Sequence, residues 1–142
     1  MIPELKSIWS STNLAEGDFQ FVVKQRDACK DAGDEVGYAE CTLVLAHVVK
    51  WVRSDNHESP FERAATLADE ALEICRRNQN KPLMIDALLM AAPMKGPEAT
   101  RQILDTALVL AAELGDEHQI AAVLHRKAAF LGLIDKQEAR AT

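Results

Sequence analysis

The sequence predicts an all-α chain of stacked antiparallel helical hairpins, about seven helices in one domain spanning 1–142. Three observations carry this. Helix-start and helix-stop residues punctuate the chain at regular intervals. The phrase "KDAGDEVGYAEC" at 30–41 returns in "AAELGDEHQIAAVL" at 111–124, and more loosely in "RRNQNKPLMIDAL" at 76–88. No segment alternates polar and apolar residues between hairpin turns, as strands would. Composition agrees: hydrophobic residues make up 48% of the chain but aromatics only 5%, so the apolar surface is mostly Ala and Leu, which suits close-packed helices.

Each element has its own warrant. Pro3 fits a first helical position and opens a helix at about 3–15. Gly17-Asp18 breaks the pattern, with Asp18 as N-cap of a helix at 18–32. Gly33 can take the left-handed conformation that ends a helix, and Asp34 caps the next at 35–53. In "SPFE" (59–62), Ser59 caps, Pro60 occupies the first turn and Glu62 closes a capping box, which starts a helix at 60–78. Pro82 and Pro97 open helices at 82–93 and 97–113 in the same way. Gly115-Asp116 repeats the Gly33-Asp34 device before a helix at 117–131, and a short helix follows from 134. "RSDNHESP" (53–60) is the most polar connection. The hairpins are therefore 3–32, 35–78 and 82–113, with a partial one at 117–142.

The repeat is visible by sliding the chain on itself. A shift of 36 lays Ala71-Leu72 on Ala107-Leu108, Ile74 on Leu110, Leu88 on Leu124 and Ala92 on Ala128. A shift of 82 lays Gly33-Asp34-Glu35 on Gly115-Asp116-Glu117, Ala39 on Ala121 and Ala46 on Ala128. Two helices per fixed period is the mark of stacked hairpins, with small residues recurring where helices approach closely. The competing arrangement is an ordinary bundle of Ala-Leu-rich helices, and capping residues at matching phase argue against it.

On these residues the chain resembles the tetratricopeptide repeat family. "GDFQFVV" (17–23) is similar to the family's turn and the start of its second helix. "PFERAATLADEALEI" (60–74) carries Phe61 at the aromatic position, Ala64 at the small position and Ala71-Leu72 as the Ala-Leu pair. "PEATRQILDTALVLA" (97–111) repeats that helix, with Ala107-Leu108 as the pair. The longer spacing and the "ELGDE" phrasing resemble repeats of large bacterial regulators and kinesin-light-chain-like scaffolds. The resemblance implies a right-handed α-α superhelix whose first helices line a concave groove. In that groove it places Glu40, Leu43 and His47 from helix 35–53, Asp86 and Leu89 from 82–93, and His118 and His125 from 117–131. Where family members that grip acidic C-termini use lysine, arginine and asparagine, these positions carry Glu40, Asp86, His118 and His125. Basic or apolar ligands are expected instead.

Chemistry in the usual sense is not expected. His118 and His125 are seven residues apart on one helix, about 10 Å along its axis, too far for two ligands that each sit about 2 Å from one zinc. Cys41 and His47 do not share a face as a nucleophile pair would. Adjacent acids such as Asp69-Glu70 and Asp116-Glu117 point about 100° apart. "GDEVG" and "GPEAT" have too few glycines to cradle a phosphate. No catalytic, metal or cofactor site is therefore expected. Cys29, Cys41 and Cys75 form no CxxC motif and read as reduced, buried thiols. The net charge of −6, with no basic cluster larger than Arg76-Arg77 or Arg126-Lys127, excludes general nucleic-acid binding. No apolar run reaches bilayer length and no signal peptide is visible, so cytoplasm is the expected compartment.

Three functions remain. The first is a non-enzymatic scaffold that binds a peptide or partner helix in the groove. The second is self-association as a homodimer: the sequence stops inside its last hairpin, leaving Leu124, Phe130, Leu131 and Ile134 for a second copy to cover. The third is a regulatory or sensor domain that binds a small ligand. Helix 35–53, interrupted only by Glu40, Thr42, His47 and Lys50, must be enclosed by neighbours or by a partner. Trp9, Trp51 and Phe61 read as core residues.

Overall fold

The computed structural model describes residues 1–50, 59–92 and 96–141, with side chains through Gly132. Among the described residues there are seven helices and no strand: α1 (Pro3–Trp9), α2 (Glu16–Ala32), α3 (Glu35–Val49), α4 (Pro60–Arg77), α5 (Lys81–Ala91), α6 (Pro97–Leu114) and α7 (Glu117–Ala141). From α2 onward each helix packs on its successor, and second-neighbour contacts join α1 to α3, α3 to α5 and α5 to α7. The odd-numbered helices thus share one layer, and α2, α4 and α6 form the other. No extensive contact joins the two ends of the chain among the described residues, so the helices form an open row.

Apolar patterning explains the row. Helices α3 and α5 lack a broad polar face and sit inside it. α3 buries nine of its residues, Leu43, Val44 and Val48 among them, and α5 buries Ile85, Ala87 and Leu88. α4 and α6 are amphipathic: α4 buries Ala64, Ala68, Ala71 and Cys75 in one stripe, and α6 buries Thr100, Leu104, Ala107 and Ala111 at the same spacing. In α7 only Val123 is buried among the described side chains.

Three corners set the register. Gly33 and Gly115 have φ of 70° and 66°, in the left-handed region that glycine enters without penalty. The corner between α4 and α5 puts Gln79 there instead, at φ 54°. The hydrogen bonds confirm the equivalence. Asp34 N–H donates to Cys29 O and Gly33 N–H to Lys30 O, while Asn80 N–H donates to Cys75 O and Gln79 N–H to Arg76 O. Both sets are Schellman closures. In each corner the next residue caps the following helix: Asp34 Oδ1 accepts from Gly37 N, Asn80 Oδ1 from Leu83 N, and Asp116 Oδ1 from His118 N and Gln119 N.

Several local expectations are corrected. α1 stops at Trp9 rather than 15, because the Ser11 hydroxyl accepts the Asn13 N–H at 3.1 Å and turns the chain. Asp18 is the third helical residue rather than the cap; its carboxylate reaches back to the Ala15 N–H at 2.8 Å. Ser59 makes no side-chain cap, so Pro60 alone marks the start of α4. Phe61 is 52% exposed and not a core residue. No break separates 131 from 134: α7 runs through Gly132, a substitution for Ala that costs a helix only about 1 kcal/mol. Trp51, the expected helix ends at 53 and 93, and most of the 53–60 connection lie outside the described residues.

Gln79 carries strain that glycine would relieve. Gln79→Gly is expected to stabilise the chain by about 0.5–1 kcal/mol, the left-handed penalty less the extra backbone entropy of glycine. Urea unfolding should show a higher midpoint at unchanged slope; an equal or lower midpoint contradicts strain at this corner.

Candidate functional site

Counting from the three corners aligns the odd-numbered layer. Seven residues on stand Glu40, Asp86 and Ala122; ten residues on stand Leu43, Leu89 and His125; three residues on stand Val36, Pro82 and His118. Of the expected groove residues, Glu40 shares a register with Asp86, and Leu43 with Leu89 and His125; His47 and His118 have no counterpart among them, and the surroundings of all differ.

On α3 the stripe is taken by the chain's own first helix. Glu40 Oε2 lies 2.7 Å from the Met1 amino nitrogen. His47 Nε2 lies 2.7 Å from Ser11 O; a carbonyl only accepts, so this ring nitrogen carries the proton and donates. Trp9 packs against the same imidazole, with ring centroids 5.5 Å apart and planes tilted by 55°. Leu5 and Ile8 of α1 are buried, and Leu43, between Glu40 and His47, is fully buried. Glu40, Leu43 and His47 therefore seat α1 and offer no open groove; Leu43 belongs to the core because α1, α2, α4 and α5 enclose α3.

On α5, Asp86 and Leu89 are half-buried, and on α7, His118 and His125 are exposed. No hydrogen bond or ion pair reaches the Asp86 carboxylate among the described residues, and burial pushes its pKa up to about 6. Its equivalent on α3, Glu40, has a cation beside it. Lys50, at the end of α3, is lowered by burial and then by the positive charge of Arg126 on α7. The layer thus carries a carboxylate on α5 with no partner among the described residues and, at the end of α3, a lysine that feels the positive charge of Arg126.

The opposite layer holds a polar clamp that sequence patterning did not expose. The Arg26 guanidinium on α2 donates to Thr42 Oγ1 and Glu70 Oε2, both at 2.9 Å, and lies 4.6 Å from the centre of the Tyr38 ring. Tyr38 O–H donates to Glu70 Oε1 at 2.8 Å, and the fully buried Thr42 hydroxyl donates to Tyr38 O. Burial first, then this bond to Glu70, raises the Tyr38 pKa. A cleft of about 650 Å³ lies beside the clamp, between Tyr38, Glu70, Glu73 and Arg77. Its polar groups serve each other and tie α2, α3 and α4 together. Cys29 and Cys41 also border one cavity of about 290 Å³, a proximity that the absence of a CxxC motif concealed.

At the α7 end, Leu124 is 47% and Leu131 39% exposed, whereas Leu88, in the register of Leu124, is 4% exposed inside the row. Phe130 is half-buried, and the Ile134 side chain lies outside the described residues. No three His, Cys, Asp or Glu side chains among the described residues converge as a metal site. No described helix is long and apolar enough to cross a membrane.

Comparison with family models, with curated proteins and with solved structures returns no match. Function is therefore argued from the geometry, in which Asp86 is the outstanding group. An acid whose folded pKa lies above its unfolded value costs stability where both states are ionised; for Asp86 that cost is absent below about pH 4 and complete above about pH 6. Asp86→Asn should stabilise the chain at pH 7 by about 2 kcal/mol, and the gain should shrink as pH falls towards 4. Paired urea melts across that range check this; a difference independent of pH contradicts it.

Proposed function

We propose that this chain is a non-enzymatic helical-repeat scaffold of the tetratricopeptide kind that binds a peptide or partner helix on its odd-numbered layer. The observation that carries the reading is Asp86, a half-buried carboxylate with no hydrogen-bond or ion-pair partner among the described residues, at the position where Glu40 meets an amino group. A buried charge left unpaired is costly, and a basic side chain from a ligand offsets that cost. Leu89, three residues further along α5, supplies an apolar contact beside it. The seating of α1 on α3 gives the pattern: a short helix held by apolar residues and by polar contacts near its two ends. The ligand is accordingly an amphipathic segment with Lys or Arg opposite Asp86, and His118 and His125 border its path. The layer is preformed, which spares most of the ordering cost of association.

A second reading, self-association through α7, is favoured by one observation: Leu124 and Leu131 are exposed at a register that is buried elsewhere in the row. Ala121 and Ala128 share this stripe at three- and four-residue spacing, which allows close helix approach.

Selection from a displayed library of helical peptides separates the two surfaces. Binders rich in Lys or Arg are expected, losing about tenfold or more in affinity with Asp86→Asn and with Leu89→Glu, while Leu124→Glu leaves them unaffected. Binders indifferent to both α5 substitutions contradict the α5 site. Sedimentation of the wild-type chain and of Leu124→Glu tests the second reading: a concentration-dependent dimer lost in the variant supports it, and a wild-type monomer at high concentration removes it.

A further inference from the structure

The Gly33 corner brings two thiols together that lie twelve residues apart in the sequence. Cys29 is on the last turns of α2, and its own carbonyl accepts the Asp34 N–H that closes the corner. Cys41 faces it from α3, and both cysteines border one cavity at this corner. Gly37, one turn before Cys41, keeps this corner tight: a Cβ there would meet the capping Asp34 carboxylate first and would stand 2.9 Å from Cys29 Sγ. Cys41 is buried and Cys29 half-buried. Cys29 lines both the 650 Å³ cleft beside Tyr38 and a smaller cavity of about 290 Å³ under Met1 and Leu5, which Cys41 also borders. Cys29 is thus the more accessible of the two thiols, and Cys41 is buried beside it.

The chain contains its own control. Cys75 stands on α4 where Cys29 stands on α2, and its carbonyl closes the next corner in the same way. Across that corner, however, Ala87 holds the place of Cys41 and Leu83 the place of Gly37, and Cys75 is buried.

We propose that Cys29 and Cys41 are a reversible dithiol–disulfide site that exchanges with small-molecule disulfides and, when oxidised, ties α2 to α3 across the Gly33 corner. The Cys29 thiol loses its proton to solvent, and its thiolate attacks one sulfur of the disulfide RSSR. A Cys29–S–S–R bond forms, the RS–SR bond breaks, and the departing RS⁻ takes up a proton. Cys41 then loses its proton and attacks Cys29 Sγ, expelling the second RS⁻, which is protonated in turn. Two protein thiols are oxidised by two electrons, and RSSR is reduced to two RSH. Burial, and then its neighbour Cys29, push the Cys41 thiol up to about 12, so the external attack falls to Cys29 and Cys41 acts only on a sulfur already in contact with it. The placement of both cysteines at one corner is what makes the second step intramolecular.

The test treats the folded full-length chain with oxidised glutathione, quenches with acid and an alkylating agent, and reads intact mass and proteolytic peptides. The wild-type chain should lose two hydrogens, with residues 29 and 41 linked and Cys75 alkylated, and dithiothreitol should reverse the change. Cys41→Ser should stop at one glutathione on Cys29, and Cys29→Ser should not react. A glutathione adduct that persists on Cys29 of the wild-type chain overturns the proposal. So does reaction of Cys75 at a comparable rate, or a bond that forms only in unfolding concentrations of urea.

Discussion

A helix with no broad polar face survives in water only when its neighbours enclose it, and α3 is that helix here. Four others surround it: α1, α2, α4 and α5. Each fully buried large aliphatic side chain contributes about 1.5–3 kcal/mol, so Leu43, Val44, Val48 and Val49 together match the whole net stability of a typical domain, about 5–15 kcal/mol. This magnitude decides what α1 is for. Displacing it would re-expose Leu5 and Ile8 as well as the stripe beneath them, several kcal/mol that a ligand would first have to offset. α1 is part of the enclosure, which leaves α5 and α7 as the less covered part of the odd-numbered layer.

Burial falls away along the row from α3. α5 is still largely enclosed yet leaves Asp86 uncompensated, and α7 buries only Val123 among its described side chains. Groups that weaken a fold are tolerated where the remaining contacts hold it, and such groups are where function is placed in a stable scaffold. The uncompensated carboxylate on one layer and the paired thiols at the first corner are two departures of this kind. The Arg26–Tyr38–Glu70–Thr42 network is the opposite case: its members satisfy one another, and it clamps α2, α3 and α4.

Much of the architecture was legible because it is local. Gly33-Asp34 and Gly115-Asp116 announce their corners through backbone chemistry that few other residues supply. Gln79 does the same work without the signal, since a non-glycine residue in the left-handed region is uncommon, and only Asn80 and Pro82 marked that corner. For the candidate residues, register was legible in part, in Glu40 with Asp86 and in Leu43 with Leu89 and His125, and exposure was not. Counting from the corners places Glu40, Asp86 and Ala122 in line, yet whether a stripe is open depends on what lies over it, and α1 folding back over Glu40, Leu43 and His47 is a tertiary fact. The Cys29–Cys41 contact was hidden for the same reason: a corner, not a short spacing, joins them.

The central claim is an open row built on α3 rather than a bundle around a shared axis. Native-state hydrogen exchange with residue resolution tests it most directly, because opening free energies follow enclosure. The account predicts that α3 amides exchange only through global unfolding, that protection declines through α5, and that α7 exchanges through its own partial opening. Equal protection of α3 and α7, lost together in one transition, would contradict it.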